Sequence, residues 1–391
     1  MRNPFSALLD SWAQHACRLA SVTAALVFAV AAPGTHAQQN PAPVMDGTYL
    51  YVAVPGVGNH FEKGGDGIVV FDVDRGFKFV KRISLPTLRN RPPELAKGIV
   101  ASVATRMLYV AQTNRLIALD LETNKLLWMQ GYDGWCCDRL DISPDSQILY
   151  VPALDHPAWN VVSALNGQLI TVLPAAARSH NTVFSPRGDR VYLVPESPVI
   201  FVADARRAQI VSEIGPFSAR VRPIVINGAE TLVFASVNGL LGVAVGDLRT
   251  GKVIAEVRAP RQFPCLTDHH DHKGACTHGV ALTPDEREVW VADVNPFVHV
   301  FDAKSMPPKY ERSIATRTSV GWLSCSIDGE RMYPSSGDVI DIASKQIIAR
   351  LTDENGQALE SEKLLEVKFA KGKLVAVGDQ WCNGRVGRPL R

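Results

Sequence analysis

The chain carries ten histidines, and eight of them lie beyond residue 40: His60, His156, His180, His269, His270, His272, His278 and His299. Neutral imidazole is the commonest protein ligand for Zn, Cu and Fe, and it is also a general base near neutral pH. Sequence-local metal patterns such as HExxH are absent, so any site must be assembled from distant segments. His180 (RSHNTVF) and His278 (CTHGVAL) directly precede apolar runs, whereas His60 (GNHFEKGG) and His156 (LDHPAW) sit in loops marked by Gly or Pro. His269, His270 and His272 crowd into one loop, TDHHDHKGAC, which leads to His278. Asp155, Glu196 and Asp293 lie in neighbouring loops as candidate ligands, hydrogen-bond partners of ligands, or bases.

The elements that must position these groups recur. Aromatic-plus-Val strands stand at Tyr51, Tyr109, Tyr150, Tyr192, Phe234, Trp290 and Tyr333, with a related LVAVG at Val375. Their successive gaps are 58, 41, 42, 42, 56, 43 and 42 residues. A period near 42, all in strand-like alternation, predicts an all-β β-propeller with one four-stranded blade per repeat. The first repeat lacks an innermost strand, and KLLEVKF (363–369) near the C-terminus supplies one. Pairing the terminal strands removes exposed edges and gives seven blades. The LVAVG run does not fit that count, and an eight-bladed ring or an extra strand are the alternatives.

In such a blade the second-to-third loops and the blade-to-blade connections share one face. The opposite turns, SPDS, SPRGD, TPDER and IDGE, are short turn chemistry. On this frame every histidine beyond residue 40 except His299 faces one rim, with His180 and His278 at the channel mouth. A ring of His60, His156, His180 and His278, joined by His269, His270 and His272, is therefore a candidate centre for Cu, Fe or Zn. His180, His278, Glu196 and Asp155 are the candidate catalytic groups. The competing reading is that these histidines cap strands or are solvated loop residues. Lys97, Arg139, Arg220 and Arg222 also open innermost strands, where they either attract an anion or pair with Asp138, Asp141 and other acids.

Arg2, Arg18, the apolar run 19–32 and Thr35-His36-Ala37 read as a secretory signal with cleavage after Ala37, leaving one domain over 38–391. The expected location is periplasmic or secreted. With 41 basic and 39 acidic residues scattered along the chain, nothing points to nucleic acid. No run beyond the leader is long enough for membrane insertion, and a monomer is expected. Six cysteines come after the leader: Cys265–Cys276 is the first choice of bridge, Cys325–Cys382 the second, and Cys136-Cys137 a vicinal pair or two separate partners.

RLDISPDSQILYV, NTVFSPRGDRVYL and LSCSIDGERMYP with VVSALNGQLITVL and VAVGDLRTGKVIAEV resemble the YVTN family of bacterial β-propeller repeats, related to lactonase-like and amine-dehydrogenase heavy-chain propellers. The resemblance covers nearly the whole chain after the leader. It implies the fold, and it leaves the activity among unrelated functions. ALDLETNKLLW (118–128) resembles the tryptophan-docking repeat of quinone propellers, but it occurs once, which argues against a bound quinone. The expected function is a His-based redox or lactonase-like hydrolytic site acting on a small-molecule ligand. The alternative is a binding scaffold or the large subunit of a periplasmic redox complex, with a periplasmic protein as partner.

Overall fold

Period-2 segments rich in Val, Ile and aromatics, each ended by Asp, Gly or Pro, have one way to bury both faces here, which is to stack as small antiparallel sheets around an axis. The computed structural model describes residues 45–87, 93–132, 136–154, 156–260, 262–265 and 273–388. Seven sheets succeed one another as blades, over residues 47–83, 96–130, 141–174, 179–214, 221–258, 277–315 and 323–350. The protein is a seven-bladed β-propeller. Among the described residues the only helix is one 3-10 turn, Phe61–Lys63, and no helix is long and apolar enough to cross a membrane.

Blade 1 is completed from the far end of the chain. Leu364–Ala370 pairs antiparallel with Gly47–Val54, Tyr51 opposite Leu365. The run that did not fit the count is an added fifth strand, Lys373–Val377, on the axial side of Leu364–Ala370. The extra-strand alternative is the one observed.

The repeated aromatics explain why blades stay in register. Tyr109 Oη donates to the Ala164 carbonyl of the next blade at 3.0 Å, and Tyr150 Oη donates to Ala205 at 2.9 Å. Tyr333 of blade 7 bonds Glu366 of blade 1 across the closure. A buried hydroxyl left unpaired would cost about 1–3 kcal/mol, so each contact selects one blade packing. The turns on the far face satisfy themselves. Ser143, Ser185, Thr283 and Ser326 each bond an Asp in the same turn and accept backbone N–H groups.

After Val377 the chain lies across the axial channel. The Gln380 side chain accepts from Ile99 N and donates to the Leu140 carbonyl, while its own carbonyl accepts from Trp322 Nε1 and Ser324 Oγ. Cys382 O accepts from Leu282 N, and Asn383 Oδ1 accepts from Ile226 N. One short tail thus bonds blades 2, 3, 5, 6 and 7. Cys382 is bridged to Cys325 and Cys265 to Cys276, as expected from the sequence, and Cys136–Cys137 forms the vicinal pair, one of the two alternatives left open there. Residues 1–44, including the segment read as a secretory signal, lie outside the described residues.

The Cys325–Cys382 bridge closes a loop of 57 residues that includes the ring closure. Cys382→Ser is expected to lower stability by about 2–4 kcal/mol, read as a lower urea midpoint. An unchanged midpoint would show that the tail is held by its hydrogen bonds alone.

Candidate functional site: a cationic cup at the channel mouth

One local device places the site. Four innermost strands begin with an irregular register against their neighbours: between Ala96 and Gly98, Ser179 and Asn181, Val221 and Ile224, and Thr277 and Val280. The residues within those steps include Lys97, His180, Arg222 and His278. A bulge leaves an extra residue out of the ladder and re-aims its side chain, and here all four line the same cavity. Small residues beside them allow the strands to converge: a Cβ on Gly279 would stand 2.7 Å from the Trp322 Cα, and one on Gly98 would stand 2.9 Å from the Asp138 carbonyl.

The cavity measures about 360 Å³ and draws residues from blades 1 to 6. Six cations line it, Lys97, Arg139, Arg220, Arg222, Lys273 and Lys363, against three carboxylates, Asp138, Glu196 and Glu362. Arg139 forms an ion pair with Glu362 and lies over the Trp322 ring at 3.6 Å. Trp322 in turn packs on Trp381 of the tail at 5.0 Å between centroids. The channel plug therefore backs the cup through two packed indoles. Trp159, Trp322 and Trp381 are all buried, as packing rather than as an open stacking surface.

Asp138 pairs with His180 Nδ1. Burial alone would raise the Asp138 pKa, but His180, Arg139 and Lys97 outweigh it and hold the carboxyl below its usual value. Burial, helped by Arg139 and Arg220, pulls His180 below the ordinary imidazole value despite Asp138. The resulting pair is an ionised carboxylate accepting from Nδ1–H, which leaves the lone pair on Nε2. That is the tautomer of a general base. His278 Nδ1 bonds the Gly321 carbonyl at 2.8 Å, and its ring lies 6.1 Å from that of His180. Glu196 is gripped by Arg178 at 2.9 Å and Arg220 at 2.8 Å. Burial works to raise its pKa, yet these arginines keep it lowered, as an ion.

The other expected site residues lie elsewhere. His60, partly exposed, bonds Glu62 at 2.8 Å, and His156 is exposed in its loop; neither is in the cup lining. Their side chains stay out of the cavity, whereas Lys97, His180, Arg222 and His278, at the bulged strand starts, turn into it. Asp293 is fully buried and bonded to His299 Nε2 at 3.0 Å within blade 6. Asp155, His269, His270 and His272 lie outside the described residues. Among the described residues no group of three or more His, Cys, Asp or Glu is arranged to hold a metal ion. The donors that do meet, His180 and His278, each have Nδ1 engaged with another partner.

Sequence reasoning missed Glu362 and Lys363 as site residues, though Glu362 directly precedes the recognised run KLLEVKF and Lys363 opens it, in a place like that of Arg139 before blade 3. Lys363 Nζ donates to Glu362 at 2.8 Å and to the Gly56 carbonyl at 2.9 Å. Burial, then repulsion from Arg139 and Lys97, pushes its pKa down to about 7.

Comparison with protein-family models and with curated proteins finds no match. Among solved structures the chain is similar to a chain of Kuenenia stuttgartiensis hydrazine synthase, at 13% identity and a TM-score of 0.56, over 72% of this chain and 88% of that one. What the two share is a fold. The resemblance to YVTN repeats rests on the repeat residues alone.

Because the unfolded chain holds the Lys363 proton up to the ordinary value of 10.5 and the folded protein releases it near 7, the unfolded state binds more protons across that window. Stability should therefore rise with pH between those limits. Lys363→Met is expected to remove up to about 5 kcal/mol of that pH dependence, measured as the difference between wild-type and variant urea unfolding at each pH.

Proposed function

We propose that the cup binds a small molecule bearing a carboxylate, with the Asp138–His180 pair as the proton acceptor beside it. The observation that carries this reading is Arg222. Its side chain is buried, at 6% exposure, and its bonds run to Asn238 Oδ1 at 2.6 Å and to the Lys273 carbonyl, both uncharged. Among the described residues it has no carboxylate in ion-pair contact. Burial, with Arg220 adding, pushes its pKa down to about 10. Glu196 partly opposes that shift from beyond contact distance, but a guanidinium desolvated with no carboxylate in contact is costly, and a bound anion relieves that cost. Lys97, on the equivalent bulge of blade 2, likewise has no acid in ion-pair contact among the described residues, and would share the anion.

A neutral imidazole held by an ionised carboxylate supports removal of a proton from water or from the ligand. Hydrolysis of a carboxylate-bearing ester or lactone is the reaction class this serves. Three cysteine pairs suit an oxidising compartment, which supports export. The fold likeness to a hydrazine synthase chain is what supports the alternative, a subunit of a redox complex with the rim as its interface.

Arg222→Gln should weaken binding of a small carboxylate at least about tenfold by calorimetry, with circular dichroism unchanged. Equal affinity in the variant would remove the anion reading. If the site is catalytic, Asp138→Asn should keep binding but lower the hydrolytic rate by about 100-fold or more. In the same variant the His180 pKa should fall further, since Asp138 is what holds it up against burial. The test is imidazole titration by NMR alongside the rate, and a rate equal to wild type would assign the pair a structural role. Elemental analysis of untagged protein checks the expectation of a bound metal directly: about one Cu, Fe or Zn per chain would support it, and no metal would remove it.

A further inference from the structure

A buried lysine in the wall of the cup has no part in proton acceptance by the Asp138–His180 pair. Lys363 is 4% exposed, yet it belongs to the cavity lining, and it stands where the closing strand of blade 1 begins. Its Nζ is held from two sides, by the Gly56 carbonyl at 2.9 Å and Glu362 Oε2 at 2.8 Å. Glu362 also binds Arg139, whose guanidinium is braced on Trp322. Nζ is therefore oriented rather than mobile, with a carboxylate in contact that can carry protons to and from it. Two cations of the same lining, Arg139 and Lys97, are close enough to repel its charge.

We propose that Lys363 is a nucleophile that forms an imine with the carbonyl of a small α-keto or aldehydic carboxylate bound in the cup. The inference rests on the anion-binding reading and narrows its ligand class. The Nζ lone pair attacks the carbonyl carbon, and the C=O π pair moves to oxygen. A proton passes from nitrogen to that oxygen, with Glu362 as carrier, to give a carbinolamine. Loss of water then leaves C=N. No oxidant or reductant is needed, and the reaction reverses on adding water. Lys97, which also receives the anion in the anion-binding reading and is close enough to Lys363 to repel its charge, would take the ligand carboxylate beside the reacting carbon. An ammonium cannot attack, and a lysine of ordinary basicity is almost wholly protonated at neutral pH. Burial and the charges of Arg139 and Lys97, working against Glu362, bring Lys363 to about 7, so a large fraction is the free amine.

The test is reductive trapping on the full-length protein. Incubation with pyruvate and cyanoborohydride near pH 7.5, then peptide mass spectrometry, should show one reduced pyruvyl group per chain, mapped to Lys363. Trapping should be half-maximal near pH 7, and Lys363→Arg should abolish it. No adduct, or adducts spread over exposed lysines such as Lys78 and Lys125 with Lys363 unmodified, would overturn the proposal. Because the wild-type map is itself decisive, the result stands even if the variant folds poorly. Calorimetry with pyruvate separates the two readings: binding without an adduct keeps the anion cup and removes the imine, and neither signal removes both.

Discussion

The antiparallel pairing of Leu364–Ala370 with Gly47–Val54 is the contact on which the axial architecture depends. A ring of blades held between neighbours by side chains has a seam wherever the chain begins and ends. Here the seam is closed by backbone hydrogen bonds, which are directional and satisfy both strand edges at once. The closure also sets the path of the C-terminal tail. Lys373–Val377 pairs on the axial side of the closing strand, so the tail beyond it has little choice but to run over the channel. The ring seam, the added strand and the channel plug are one continuous consequence.

The plug and the cup are linked through aromatic packing. Gln380 and Trp381 hold Trp322, and Trp322 carries Arg139 on its face. A cation over an indole gains about 0.5–2 kcal/mol, more when desolvated. This helps explain how a guanidinium can stand fully buried near several other positive groups. The carboxylates are distributed unevenly among the cations of the rim. Glu362 serves Arg139 and Lys363, Glu196 serves Arg178 and Arg220, and Asp138 serves His180. Arg222 and Lys97 are left with no ion-pair partner among the described residues. The six cations of the lining outnumber its three carboxylates, and the anion-binding proposal rests on that imbalance.

Much of this was legible in the chain itself. The spacing of the aromatic runs predicts blades, and three of their hydroxyls, on Tyr109, Tyr150 and Tyr333, turn out to join blade to blade. Placing His180, His278, Lys97, Arg139, Arg220 and Arg222 at strand starts also put them on one rim, where all six line the cavity. Sequence position alone could not separate them from His60 and His156, since loop residues on the same face share the same address. For Lys97, His180, Arg222 and His278 the separation is made by a backbone irregularity of one or two residues, and alternating apolar patterns look the same with or without it. Glu362 and Lys363 were overlooked because acid–base pairs before a strand are ordinary surface features. They become a buried pair only when the seam closes over them.

The sequence by itself determined the class of fold, the two-ended construction of blade 1 and the side of the ring where polar groups collect. These arise from local periodicity and turn chemistry, which act over a few residues. Tertiary structure decided the rest: that the last strand turns inward, that the tail fills the channel, and which cations keep a counter-ion. Those outcomes depend on distances between residues more than 200 positions apart, such as Arg139 and Glu362. Desolvation and Coulomb terms at such contacts exist only once the ring has closed, so no local pattern in the chain records them.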